Sequence, residues 1–162
     1  IIQQALDKGI KVALNPAPME ASIALLPIND MALLCVNEGE AAQLLEYLGE
    51  DTTALSAEEL LEHLIDHFSS PEIVLTLGRQ GTLYAHGQKR IRQPAFNVKA
   101  VDTTGAGDTF VGYYLAAKAA GVDAEKALSM ASAASALCVQ KEGASSSIPA
   151  RADVETFLSS PV

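Results

Sequence analysis

The residues best placed to do chemistry lie in one run, Val101-Asp102-Thr103-Thr104-Gly105-Ala106-Gly107-Asp108-Thr109-Phe110. Gly105 and Gly107 sit just ahead of an Ala-rich stretch, Thr109 to Ala120, whose composition predicts a helix. A glycine turn opening a helix leaves backbone N–H groups unpaired, with the positive end of the helix dipole behind them. Such a place binds anions, phosphate above all. Asp108 puts a carboxylate at the mouth of that site, where it would repel phosphate unless it had a task of its own. The task that fits is to take a proton from a hydroxyl while the adjacent N–H groups hold the phosphoryl group being attacked. A bare Gly-x-Gly-Asp would be read as an ordinary capped helix start.

Two phosphate motifs are excluded. A Walker loop needs lysine after its last glycine, and Asp108 follows Gly107. The dinucleotide fingerprint needs a third glycine where this chain has Phe110. Three further stretches carry polar chemistry. Asn37-Glu38-Gly39-Glu40 follows an apolar run and opens a helix; Glu40 could hold a hydrated Mg²⁺ beside a triphosphate, since Mg²⁺ keeps most of its waters. Taken alone, it is an acid-rich first helical turn. Thr76-Leu77-Gly78-Arg79-Gln80-Gly81 sets glycines at the end of a predicted strand, where backbone can approach a nucleotide or simply turn. Lys141-Glu142-Gly143-Ala144-Ser145-Ser146-Ser147 has the composition of a flexible loop. His63 and His67, four apart, lack an evident third ligand and are read as a solvated helix face. Lys89, Arg90 and Arg92 are read as a solubilising cluster on a hairpin.

The whole string Asp-Thr-Thr-Gly-Ala-Gly-Asp-Thr-Phe resembles the second signature of the ribokinase (PfkB) family of carbohydrate kinases. The resemblance covers essentially the whole chain, from Asn15-Pro16-Ala17-Pro18 to the last helix, and Asn-Pro-Ala-Pro is more similar to the ribokinase branch than to the fructokinase or adenosine kinase branches. It implies the C-terminal portion of a three-layer α/β/α sandwich with a largely parallel sheet. It implies transfer of the ATP γ-phosphoryl group to a sugar hydroxyl, D-ribose at O5 giving ribose 5-phosphate, with Asp108 the base at the substrate and Gly105, Ala106 and Gly107 the anion hole. Asn37 and Glu40 match the family's Asn-x-x-Glu motif, Glu40 acting on Mg²⁺ indirectly. Asn37, Thr76, Gly78, Gly81, Gly107 and Ser132 would contact the nucleotide, Ser132 at the adenine. A monovalent cation, K⁺, would take the Asp102 carboxylate, the carbonyls of Thr104, Cys138, Lys141 and Gly143, and the Ser147 hydroxyl. The family's first glycine signature, most of its sugar-binding residues and its lid strands have no counterpart in residues 1–162, which are therefore expected to be the C-terminal part of one kinase domain, homodimeric at full length and inactive in isolation. The rival expectations are a non-catalytic nucleotide-binding fragment and a kinase for another sugar, such as fructose.

The elements that would position these residues follow from periodicity. Ile1 to Lys8 predicts a helix, ended by Gly9; Lys11–Leu14 a short strand; Met19–Leu26 a helix; and Ala32–Val36 a strand covered on both faces. Ala41–Leu48 predicts a helix, Ser56 and Glu59 a capping box opening another to Phe68, and Ile73–Leu77 a buried strand. A hairpin over 82–92, the helix 109–120, a helix 124–139 and a last helix 153–158 complete the order. Strands alternating with helices predict an α/β fold with a largely parallel sheet.

Composition bounds the rest. The chain has 162 residues, 49% of them hydrophobic, enough for one sizeable core. A net charge of -9 argues against nucleic-acid or anionic-membrane surfaces, though not against a nucleotide held by local N–H groups and a metal. Cys35 and Cys138 lie in apolar runs without metal spacing and read as buried thiols of a cytoplasmic protein. No secretory signal or run of membrane-spanning length is present. The chain opens on Ile1-Ile2 without methionine, and is read as a fragment, a processed product or an incomplete chain.

Overall fold

A computed structural model describes residues 1–160. The chain divides into two compact units, one of residues 1–78 with 83–92, the other of residues 79–82 with those from 93 on. The first unit carries, but for the end residues Thr82 and Gln93, a five-stranded sheet in the order β1-β2-β3-β4-β5: β1 (Ala13–Leu14), β2 (Leu33–Asn37), β3 (Glu72–Thr76), β4 (Thr82–His86) and β5 (Lys89–Gln93). The first three strands are parallel, in a register that runs from Leu33 opposite Glu72 to Asn37 opposite Thr76. Two residues, Gly87 and Gln88, join β4 to β5, too few for a crossover, so this pair is antiparallel and the sheet is mixed at that edge.

Leu33, Leu34, Cys35 and Val36 are all buried, as are Ile73, Val74 and Leu75. That is why these strands read as continuous apolar runs rather than as alternation. The core around them takes Leu44 and Leu45 from α2 (Glu38–Tyr47) and Leu60, Leu61 and Leu64 from α3 (Ala57–His67). Each such leucine contributes roughly 1.5–3 kcal/mol by leaving water. Ser56 and Glu59 make the expected capping box. On the open edge, Arg90 pairs with Glu62 at 2.9 Å and Arg92 with Glu58, so the basic cluster ties the hairpin to α3 rather than standing free. Charged residues on an edge strand also deter pairing with another chain.

Two expected elements are shorter. Only Ala13–Leu14 of the first strand is paired, ahead of Asn15-Pro16 and a cis Ala17–Pro18 bond. The expected helix at 19–26 is a 3₁₀ segment, Ala21–Leu25. The N-terminal helix α1 spans Ile2–Asp7.

In the second unit α4 (Ala106–Ala119) packs along α5 (Ala124–Cys138), and α6 (Arg151–Ser159) packs on α5. Ala127, Ala131 and Ala134 recur at helical spacing and are fully buried, so the backbones can approach closely. Val154 of α6 is fully buried with Ala133 and Ala134, and Phe96 meets Phe157 edge to face at 5.1 Å.

Candidate active site

The glycine run folds differently in detail from its sequence reading. The helix begins at Ala106, not Thr109, with Gly105 as its cap at φ 75°. Gly105 must therefore be glycine for its left-handed backbone, whereas Gly107 is helical and Asp108 lies in the first turn. Thr109 N–H closes the first in-helix bond, to Gly105 O at 2.9 Å, so the N–H groups of Gly107 and Asp108 precede the helical ladder. Ala106 N–H donates to Thr103 O at 3.2 Å, which engages one of the three groups expected in the anion hole. The reason the helix starts early is that Gly105 alone supplies the reversal; Gly107 is not needed to turn the chain.

Asp108 is exposed and lines a cleft of about 360 Å³ along one face of α4 with Thr109, Gly112, Tyr113 and, from beyond the helix, Ile148 and Arg151. Tyr113 O–H donates to Pro149 O at 2.7 Å. Burial and the nearby Asp153 carboxylate raise the Tyr113 pKa, so it stays a neutral donor. The sequence reading missed this cleft, although Asp108, Gly112 and Ala116 are spaced four apart and must share a face.

Asp102, half-buried, turns its carboxylate onto backbone N–H groups. Its Oδ1 accepts from Thr104 N–H at 2.9 Å and its Oδ2 from Gly143 N–H at 3.0 Å. These bonds, the Thr104 backbone first, hold its carboxyl below the usual range. Val101 and Asp102 N–H both donate to Val139 O, and Lys141 N–H donates to Cys138 O at 3.1 Å. Ser147, fully buried, donates to Ala144 O at 2.6 Å and lies 3.1 Å from Cys138 Sγ. Asp102, Thr104, Cys138, Gly143 and Ser147 are thus brought together from three stretches of chain. Their donors toward an ion would be carboxylate, carbonyl and hydroxyl oxygens, hard ligands that fit a hard cation. Side chains are barred from the loop's turn: Gly143 has φ 96°, and a Cβ there would press on Ser146 Oγ. Ser132 lies in the same helix, α5, with 8% of its surface exposed. Sequence reasoning also missed Ser135 Oγ, which donates to Ala106 O at 3.1 Å, and Thr109 Oγ1, which donates to Cys138 Sγ at 3.4 Å. Partners 29 residues apart leave no local signal.

The first unit holds the other candidates. The β2–β3 register sets Asn37 beside Thr76 at the carboxyl ends of parallel strands, where ligands sit in open α/β sheets. Asn15 follows β1 and donates from Nδ2 to Cys35 O at 2.9 Å. Asn37 and Glu40 form a reciprocal capping box: Asn37 Oδ1 accepts from Glu40 N–H at 2.8 Å and Glu40 Oε2 accepts from Asn37 N–H at 2.9 Å. The bland reading of this motif is therefore realised; Glu40 keeps one oxygen, which suits a metal that retains its waters. Gly78, with φ 53°, has open space where a Cβ would point. Gly81, by contrast, belongs to the second unit and packs on its own backbone: with φ 101°, a Cβ would collide with Gln93 O and lie 2.7 Å from Ala95 N. Its lack of a side chain serves chain packing, not the approach of a nucleotide alone.

His63 and His67 are not simply solvated. Both rings contact the Glu50 carboxylate, His63 through Nδ1 and His67 through Nε2. Hydrogen bonding to Glu50 raises the His63 pKa, and the same contacts lower that of Glu50. Among the described residues no group of His, Cys, Asp and Glu is arranged to hold a metal, and no helix is long and apolar enough to cross a membrane. Both cysteines are buried, and burial lifts the Cys35 thiol to about 12.

Comparison with known proteins agrees with this architecture. Residues 1–151 match the pfkB family carbohydrate kinase. The ribokinase of Schizosaccharomyces pombe is 36% identical over 160 residues, covering 95% of this chain and 48% of that protein. A solved ribokinase of Cryptococcus neoformans in complex with ADP is 31% identical with TM-score 0.81, over 91% of this chain and 51% of that one. The Arabidopsis thaliana ribokinase complexed with ribose and ATP is 28% identical with TM-score 0.81, over 98% of this chain and 51% of that one. The chain spans about half the length of the curated relatives it matches. Its glycine run, its parallel strands with Asn37 and Thr76 at their ends, and a match over residues 1–151 together mean that the chain belongs to the pfkB family of carbohydrate kinases.

Proposed function

We propose that this chain is the nucleotide-binding and catalytic part of a sugar kinase that moves the γ-phosphoryl group of ATP to a sugar hydroxyl, D-ribose at O5. The observation that carries the proposal is Asp108 in the first turn of α4, exposed on a cleft and beside N–H groups that precede the helical ladder. In the reaction the sugar oxygen attacks the γ-phosphorus, the bond from that phosphorus to the β–γ bridging oxygen breaks, and ADP leaves. The hydroxyl proton passes to the Asp108 carboxylate. The N–H groups of Gly105 and Gly107, with the α4 dipole, stabilise the charge spreading over the phosphoryl oxygens. Asn37, Thr76, Gly78, Gly81 and Ser132 are assigned to the nucleotide. Glu40 would orient waters of a Mg²⁺ ion, which supplies charge neutralisation at the phosphates. K⁺ would be held by the Asp102 carboxylate, the carbonyls of Thr104, Cys138, Lys141 and Gly143, and Ser147 Oγ, steadying the first turn of α4.

Relatives named as ribokinases, one solved with ribose and ATP, support ribose as the sugar. We assign residues 1–162 to the C-terminal part of a single kinase domain, cytoplasmic and homodimeric at full length; light scattering of that protein checks the last point. Asp108→Asn in the full-length protein is expected to lower phosphoryl transfer by about 10²–10⁴-fold, the usual contribution of a general base, with nucleotide affinity little changed. Near-normal turnover in that variant would sink the assignment. The 162-residue chain alone is expected to release no ribose-dependent ADP in a coupled assay, because positioning of the acceptor supplies much of the barrier reduction. Ordinary kinase rates from it, or a preference for fructose over ribose at full length, would overturn the corresponding part of the proposal.

A further inference from the structure

We propose that the Cys138 thiol is a positioning group that couples the 141–147 loop to the first turn of α4; this rests on reading that loop as a cation site. The side chains form a buried chain with a single polarity. Ser147 has one hydroxyl hydrogen, and it goes to Ala144 O at 2.6 Å. At the 3.1 Å contact with Cys138 Sγ, Ser147 Oγ therefore accepts and the thiol donates, this contact being much shorter than the thiol's 4.0 Å approach to Thr104 O. The sulfur in turn accepts from Thr109 Oγ1 at 3.4 Å. The order is Thr109 to Cys138 to Ser147 to Ala144, and turning the Ser147 hydroxyl toward the sulfur would cost Ala144 O its 2.6 Å bond. Thr109 is 2% exposed, Cys138 and Ser147 0%, so no solvent substitutes for a missing partner.

The two ends matter for different reasons. Thr109 directly follows Asp108, and its N–H closes the first in-helix bond to Gly105 O. At the other end, Ser147 Oγ donates one bond and accepts one, which leaves a lone pair for an ion. An ion drawing on that oxygen polarises its O–H and tightens the bond to Ala144 O, which fixes where Ser147 Oγ stands; the thiol seated on that oxygen then fixes Thr109 and so the turn that presents Gly107 and Asp108. If the sulfur is removed, the Thr109 hydroxyl turns back to a carbonyl one turn earlier, a bond that competes with the helix start.

Hydrogen exchange of the full-length protein in K⁺ against Na⁺ tests this without relying on activity. In the unmodified protein K⁺ should slow exchange at Gly143 and at Gly107 and Asp108. In Cys138→Ala the K⁺ concentration giving half of the α4 protection should rise about tenfold, the scale of one or two lost hydrogen bonds. Thr109→Val should behave alike, and Cys138→Ser, which keeps donor and acceptor, should stay within about threefold. If Gly143 responds to K⁺ in every variant while α4 protection is the same in Cys138→Ala and the parent, the coupling is overturned and the cation site stands. A parent protein blind to K⁺ at Gly143 overturns the cation site and the coupling with it. Uniform loss of protection along α5 in Cys138→Ala would mark plain packing and also overturn the proposal.

Discussion

Gly78 and Gly81 bracket the same short turn and look interchangeable in the sequence, yet substituting each with alanine should have very different costs. At Gly78 the backbone has φ 53° and nothing lies within 4 Å of an added Cβ. The cost there is the left-handed conformation alone, about 1–2 kcal/mol. Part of it is offset by about 0.4–1 kcal/mol from a stiffer unfolded chain, leaving a net loss of about 1 kcal/mol. At Gly81 the φ of 101° lies further from any basin for alanine, and the Cβ would strike Gln93 O, Pro94 C and Ala95 N, all main-chain atoms. Backbone cannot swing aside as a side-chain tip can. An overpacking cost of about 1–3 kcal/mol therefore adds to the conformational one, for a total of about 3 kcal/mol. Urea unfolding of the 162-residue chain, followed by circular dichroism, reads the difference. With a slope of about 1–3 kcal/mol per molar urea, Gly81→Ala should lower the midpoint by about 1–3 M and Gly78→Ala by about a third of that. Equal midpoints for the two variants, or a Gly81→Ala midpoint near the parent's, would refute the backbone-packing account of Gly81.

Other outcomes follow from the charged groups. His63, at an ordinary value of 6.5, is raised by Glu50, so its contribution is fully present below pH 6.5 and fades as pH rises through the higher folded value. Glu50, at an ordinary value of 4.5, is lowered, so its contribution is present above pH 4.5 and fades on acidification. Glu50→Gln should thus cost most stability between about pH 5 and 6.5 and least near pH 9; denaturation midpoints across that range check it, and a pH-independent cost refutes it. Asp102→Asn leaves Thr104 and Gly143 N–H without a charged acceptor; faster hydrogen exchange at Gly143 and a loss of any K⁺ response are expected. An unchanged Gly143 amide would count against the clamp.

Much of this protein was legible before its structure. Continuous apolar runs such as Leu33–Val36 read as strands covered on both faces, and the Ser56–Glu59 pair as the opening of a helix, because each follows from local spacing and burial of a single element. Asp108, Asn37 and Glu40 stand out for the same reason: a carboxylate or amide at a helix start has a chemical meaning that its neighbours reveal. What the sequence could not carry was which local reading each group realises in space. At Asn37–Glu40 the sequence shows an acid-rich helix start; that the two side chains close a reciprocal capping box appears only in the structure. The early start of α4 depends on Gly105 alone taking the left-handed backbone, with Ala144 of a distant loop in ordinary contact beside it. His63 and His67 looked solvated until the loop after α2 delivered Glu50 to both rings. The link from Thr109 through Cys138 to Ser147 spans 38 residues and exists only because α4, α5 and the 141–147 loop pack together. Local propensity and periodicity are written into neighbours along the chain; hydrogen bonds between distant side chains are decided by packing, which no window of sequence contains.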